Sequence, residues 1–365
     1  MAPSLTLGEK LSIIPKLLIP LPAILVYTVL ISPFSTALKR KKLYRLVFET
    51  ALRTLGRASV HQLQWLNGTT LGSYRAWAKQ FKVETLIEDV PKSGKKLMWI
   101  GNKDAEKVVF YVHGGGFMLP VANFAFTFWL FVQREYAKRT GKEISICVME
   151  YSLYPQTFPT QLTETVHAFS HLLSNTKATP SNIHIAGDSA GGNILLQLIS
   201  HTLHPVAGVP PSPLTTVCVR GTLLISPWVT LNEETRSYTQ NDASDTLQSS
   251  TLISWGNHYL EGVKDSQLPY VKHLLTGERW FDGIDKVTER IFVTVGGAEC
   301  MLDECSEIHQ RLCGTMVDGK PVLKLDIEEG GVHEDMIMEC GAGGKKLTSV
   351  GEKIVEWLRE GHGDA

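Results

Sequence analysis

The chain has 365 residues, 43% hydrophobic and 20% charged, with 36 lysines and arginines against 37 acidic residues and a formal net charge of -1. That length and balance suit a large globular core, and the neutrality offers no electrostatic case for nucleic acid or another polyanionic partner. The six cysteines (Cys147, Cys218, Cys300, Cys305, Cys313 and Cys340) form no CxxC pair and no zinc-spaced His/Cys cluster. They predict buried thiols, with room for one disulfide among the last four, and no metal or cofactor.

The N-terminus differs most from the rest. Leu17 to Phe34 reads LLIPLPAILVYTVLISPF, 18 residues without a charge. That is about the shortest run able to span a bilayer, so residues 1–38 are expected to be a membrane anchor, single-pass or lying in the interface. The alternative is an apolar helix packed on the globular body. Lys39, Arg40, Lys41, Lys42 and Arg45 follow, which favours a cytosolic body under the positive-inside rule. Asn67-Gly68-Thr69 is a glycosylation sequon and matters only if the body is lumenal.

Residues 43 to about 82 carry apolar positions at helical spacing, among them Leu43, Leu46, Val47 and Ala51. After Val90 short apolar runs alternate with helical stretches: 97–100, 108–112, 144–149, 183–187, 222–226, 291–295 and 322–327. Continuous apolar runs separated by helices predict a mostly parallel sheet buried on both faces, in one α/β domain over residues 95–365.

Two glycine motifs sit at strand ends. Gly187-Asp188-Ser189-Ala190-Gly191 joins a strand-like run to a helix-like one, the setting that puts a nucleophilic serine on a sharp turn. His113-Gly114-Gly115-Gly116-Phe117 follows the run 108–112, and its bare backbone allows an oxyanion to approach the N–H groups of Gly114, Gly115 and Gly116, with that of Ala190. A tight turn or a phosphate loop is the competing reading, but neither G-x-G-x-x-G nor a P-loop lysine is present. The usual order then calls for an acid and a histidine on late loops. His333 follows the run 322–327. Glu299 and Asp303 are the carboxylates available; Glu299 is favoured, because it lies on the loop and Asp303 in the first turn of a helix.

HGGGF, EYSLYPQTFPTQL, GDSAGGN, ISPWVTL, the Ser237-Tyr238, Asn241 and Asp245 segment, GGAECMLDE and GGVHED together resemble the hormone-sensitive-lipase-like esterases, most closely the fungal steryl acetyl hydrolase branch. The resemblance covers about residues 95–360. It implies an α/β-hydrolase fold with an N-terminal helical cap (residues 39–94 here) and a triad at Ser189, Glu299 and His333. Glutamate stands where aspartate is commoner. It further implies an enzyme of the endoplasmic reticulum membrane with a lumenal body, opposite to the orientation that the basic cluster favours. The implied activity is removal of a short acyl group from a lipophilic alcohol such as a sterol, without cofactor, nucleic acid or obligate protein partner. Acyl transfer, amide or lactone opening by the same acyl-enzyme, and a non-catalytic binding protein on this fold are the other readings.

Overall fold

Eight strands form one sheet in the order β1-β2-β4-β3-β5-β6-β7-β8. They are β1 (Leu86–Val90), β2 (Lys95–Ile100), β3 (Val108–Val112), β4 (Ser145–Met149), β5 (Ile183–Asp188), β6 (Gly221–Ile225), β7 (Arg290–Gly296) and β8 (Val322–Glu328). This computed structural model describes residues 5–15, 19–35, 38, 39 and 41–364. Strands β3 to β8 run parallel, while β2 is antiparallel to both β1 and β4. The seven apolar runs are all strands. The eighth, β1, has the sequence LIEDV and pairs at the sheet edge, where Glu88 and Asp89 suit a border strand better than a buried one.

The central strands are apolar throughout because helices cover both faces. Along β3, Val108, Phe110 and Val112 enter one core with Ile185 and Leu196, and Val109 and Tyr111 enter the other with Trp129 and Trp357. The strand order turns at β3. The chain leaves to β4 on one side and returns to β5 on the other, so the C-terminal ends of β3 and β5 are neighbours, with Val112 opposite Gly187. Loops leaving such a switch point part and open a crevice, the usual place for a ligand in an α/β sheet.

Residues 39–94 divide. The helix Thr70–Phe81 buries Tyr74 and Trp77 against Phe126 under the sheet, and residues 86–90 belong to β1. The helices Leu43–Leu55 and Val60–Asn67 instead reach the cavity above the strand ends.

The expected membrane anchor and endoplasmic reticulum membrane location are overturned. Among the described residues no helix is long and apolar enough to cross a membrane. Of the run 17–34, Leu17 and Leu18 lie outside the described residues, as do residues 1–4, 16, 36 and 37 of the 1–38 segment and Arg40 of the basic cluster. The rest forms a helix over Pro20–Ile31, 12 residues. At 1.5 Å per residue that is about 18 Å, well short of a hydrocarbon core of about 30 Å. Pro20 and Pro22 open it, Pro33 falls in the tighter turn that ends it, and it lies against the helix Leu43–Leu55. The glycoprotein expectation loses its support with the membrane one. Asn67 donates its amide to the Leu63 carbonyl at 2.8 Å, and Thr69 caps the next helix at Gly72. All six cysteines are free.

The helix Leu43–Leu55 is fastened to the late loops by ions. The buried Arg45 guanidinium pairs with Glu49 at 2.7 Å, Asp335 at 2.7 Å and Glu339 at 3.3 Å, and donates to the Asp335 carbonyl. Arg53 donates to the carbonyls of Asp242 and Asp245. Removing one partner of a buried ionic cluster leaves the other charges uncompensated. Arg45→Met is expected to lower stability by about 3 kcal/mol, measured as a fall in the urea midpoint; a loss near zero would mean that these carboxylates are satisfied without it.

Candidate active site

Ser189 stands between β5 and the helix Ala190–Leu203 with φ 47° and ψ -117°. An L-residue rarely adopts this backbone, at a cost of about 1–3 kcal/mol, and it persists only where the surroundings force it. They do so here. The Ser189 N–H donates to the Ile225 carbonyl at 2.9 Å, and its own carbonyl accepts from the N–H groups of Trp228 and Asn193, both at 3.1 Å. A Cβ on Gly187 would lie 2.6 Å from the Gly191 carbonyl carbon, and one on Gly191 would run into the Val112 carbonyl. The turn is therefore open only to glycine on either side of the serine. The N-terminal end of the following helix, with its partial positive charge, faces the serine.

The loop after β3 is shaped as tightly. Gly115, Gly116 and Phe117 all have positive φ, 102°, 62° and 65°. Tyr151 donates its hydroxyl to the carbonyls of His113 at 2.8 Å and Gly114 at 3.1 Å. The His113 ring stacks on Tyr151, and burial pushes it down to about 4, so it is neutral and donates from Nδ1 to the Gly114 carbonyl. Gly116 lies under the Trp255 ring, where a Cβ would clash. Among the described residues, the N–H groups of Gly115, Gly116 and Ala190 have no backbone acceptor. Gly114 differs from these three, because its N–H lies against the Asp188 carboxyl.

His333 approaches from the loop after β8. Its N–H donates to Asp245 Oδ1 at 2.9 Å, its Nδ1 lies 3.5 Å from Glu299 Oε1, and its Nε2 lies 3.4 Å from Glu334 Oε1. Glu299 is fully buried on the loop after β7, and its Oε2 accepts from Ser226 Oγ at 2.7 Å and from the Gly296 N–H at 2.8 Å. Burial pulls the His333 imidazole down, and negative charge on Glu334, Glu299 or Asp245 pulls it up. Burial holds the Glu299 carboxyl above its ordinary range, while His333 draws it back.

The structure thus brings Ser189, Ala190, Gly114, Gly115, Gly116, Glu299 and His333 to one crevice. Asp303 is elsewhere in contact. Its Oδ2 accepts the Ser237 N–H at 2.8 Å, and its own N–H donates to Ser237 Oγ, which ties two helix starts together. Four residues that the sequence did not single out for the site also belong to it: Asp188, Ser226, Asp245 and Glu334. Each lies inside a motif quoted above, but nothing in the spacing tells that Ser226, at φ 44°, turns its hydroxyl to Glu299. Nor does it tell that Asp245 also holds the Cys300 N–H.

A cavity of about 330 Å³ opens above Ser189 and His333, walled by Leu52, Leu55, Leu63, Leu66, Leu252 and Trp255. It is predominantly apolar, as small-molecule sites usually are.

The alpha/beta hydrolase fold model matches residues 109–334, and the chain belongs to that family. It is similar to an esterase of Acinetobacter venetianus, 27% identical over 209 residues that cover 57% of this chain and 61% of the relative. A shorter likeness links it to neutral cholesterol ester hydrolase 1 of Mus musculus, 31% identical over 98 residues, 25% of this chain and 22% of that protein. The chain spans about three-fifths of the length of the first curated relatives that it matches. Among solved structures, an esterase from the bacterial hormone-sensitive lipase family superposes with a TM-score of 0.63 at 22% identity, over 88% of this chain and all but 1% of that one. EstE7, a hormone-sensitive-lipase homologue from a metagenome library, does so at 0.61 and 19% identity, over 87% and 98%. At these identities the superpositions speak for the fold alone.

If Glu299 orients the imidazole, Glu299→Gln is expected to cut kcat by about a hundredfold or more while Asp303→Asn changes it by less than about tenfold. Ester turnover at matched stability measures both. Equal or reversed losses would move the acid to Asp303.

Proposed function

We propose that this chain is a serine ester hydrolase that removes a short acyl group from a lipophilic alcohol, using Ser189, His333 and Glu299. The observation that carries the reading is the strained serine at the switch point, with an imidazole and a buried carboxylate converging on the same crevice. In this mechanism Ser189 Oγ attacks the ester carbonyl while His333 takes its proton. The N–H groups of Gly115, Gly116 and Ala190 hold the oxyanion, while that of Gly114 lies beside the Asp188 carboxyl. The alcohol departs with the proton from His333, and water then releases the acid by the same path. Glu299 fixes the imidazole tautomer and supports the imidazolium.

The leucine-walled cavity supports a lipophilic alcohol, since burying its apolar surface yields about 25 cal/mol per Å². Trp255 packed over Gly116 leaves little room beside the oxyanion donors, which supports a short acyl group. An acetylated sterol is the substrate that the resemblance to the steryl acetyl hydrolases adds, and the helices Leu43–Leu55 and Val60–Asn67 would serve as the cap over it.

Ser189→Ala is expected to lose at least about a thousandfold in kcat and to stay folded. On aryl esters graded by acyl length, turnover should fall from acetyl upward, by at most about 1–3 kcal/mol in the barrier per methylene. Wild-type-like hydrolysis by the alanine variant would sink the reading. A preference for long acyl chains would sink the substrate assignment alone.

A further inference from the structure

Asp188 and Glu334 take no step in the ester chemistry above, yet both lie within reach of it. Asp188 ends β5, and Glu334 follows His333 with φ 53°. They are only 3% and 7% exposed, too buried for water to solvate two charges. They meet at Gly114. A Cβ there would run into Asp188 Oδ2 and lie 2.9 Å from Glu334 Oε1, so the space that a side chain would take holds two carboxyls instead.

Their surroundings differ. Burial pushes the Asp188 carboxyl above its usual range, while Glu334, the Tyr111 hydroxyl and the Gly114 N–H beside it draw it back. Glu334 Oε1 faces His333 Nε2 at 3.4 Å, and Asp188 adjoins its carboxyl. Two buried carboxyls in contact cannot both ionise. Burial first, and the neighbouring Asp188 next, push Glu334 well above the usual carboxylate range.

We propose that Asp188 and Glu334 share one proton, carried by Glu334, so that Glu334 sets no third charge beside Nε2 of His333 and leaves the imidazole neutral, able to serve as the base. The proposal rests on the reading of His333 as the base for Ser189. The groups facing the imidazole and its neighbour are Glu299 from the loop after β7, Asp245 from the segment before the helix Ser249–Tyr259, and Glu334. Behind Glu334 stand Asp188 from β5 and Tyr111 from β3. Asp335, next along the chain, pairs with Arg45 instead. With Glu299 and Asp245 already present, a third full negative charge at 3.4 Å would keep the ring as imidazolium. An imidazolium accepts no proton from a serine. A protonated Glu334, donating to Asp188, removes that charge without removing the contact.

The test is the titration of His333 itself, followed by NMR on full-length protein carrying labelled histidine, with the signal assigned by its loss in His333→Gln. Glu334→Gln replaces a neutral acid by a neutral amide and should leave the midpoint within about half a unit of wild type. Asp188→Asn removes the anion that keeps the proton on Glu334. Glu334 then ionises beside the ring, and the midpoint should rise by about one unit or more. The double variant should return to the wild-type midpoint. A fall of about a unit in Glu334→Gln, or no rise in Asp188→Asn, overturns the proposal. Should Asp188→Asn fail to fold, Glu334→Gln alone still decides it. Ester turnover followed on the same samples separates the two failures: an inactive wild type sinks the hydrolase reading, yet the titration stays readable.

Discussion

The backbone of Gly191 packs directly on the carbonyl of Val112, and the rest of the site depends on that contact. It presses the start of the serine's helix against the end of β3, so the elbow after β5 and the triple-glycine loop after β3 face one crevice. A side chain at Gly191 would push the two apart. The positive φ of Ser189 follows from the same constraint, because the chain must turn from strand to helix within one residue while its neighbours stay packed. Parallel pairing of β3 with β5 sets the positions of both loops; the glycines set how closely they approach.

Around this frame the electrostatics are crowded. Asp245, Glu299 and Glu334 gather about one imidazole with Asp188 behind Glu334, and Arg45 is committed to Glu49, Asp335 and Glu339. Each acid is managed separately. Glu299 takes a hydroxyl and an N–H, and Asp245 takes the N–H groups of His333, Cys300 and Thr246. Asp188 takes Tyr111 and Gly114 as neighbours. A proton on Glu334 completes the balance.

Much of the fold was legible because buried parallel strands read as unbroken apolar runs, and all seven such runs are strands. β1 was not, since an edge strand with Glu88 and Asp89 carries no such signal. The apolar run 17–34 misled for a definable reason. Average hydropathy is blind to prolines, whereas Pro20, Pro22 and Pro33 bound the helix at 12 residues. Within the site, serine and histidine were marked by their motifs, and Glu299 by its distance past β7. The Asp188–Glu334 contact was invisible, because the two residues lie far apart in sequence and meet only where Gly114 leaves room.

The central claim is that an acyl group passes through Ser189. Its most direct test is acid quenching of the enzyme during turnover of an activated acetate ester, followed by peptide mapping by mass spectrometry. The account predicts an acetyl group on the peptide containing Ser189, gone when turnover is allowed to finish. Acylation of a different residue, or turnover without any acylated peptide, would contradict it.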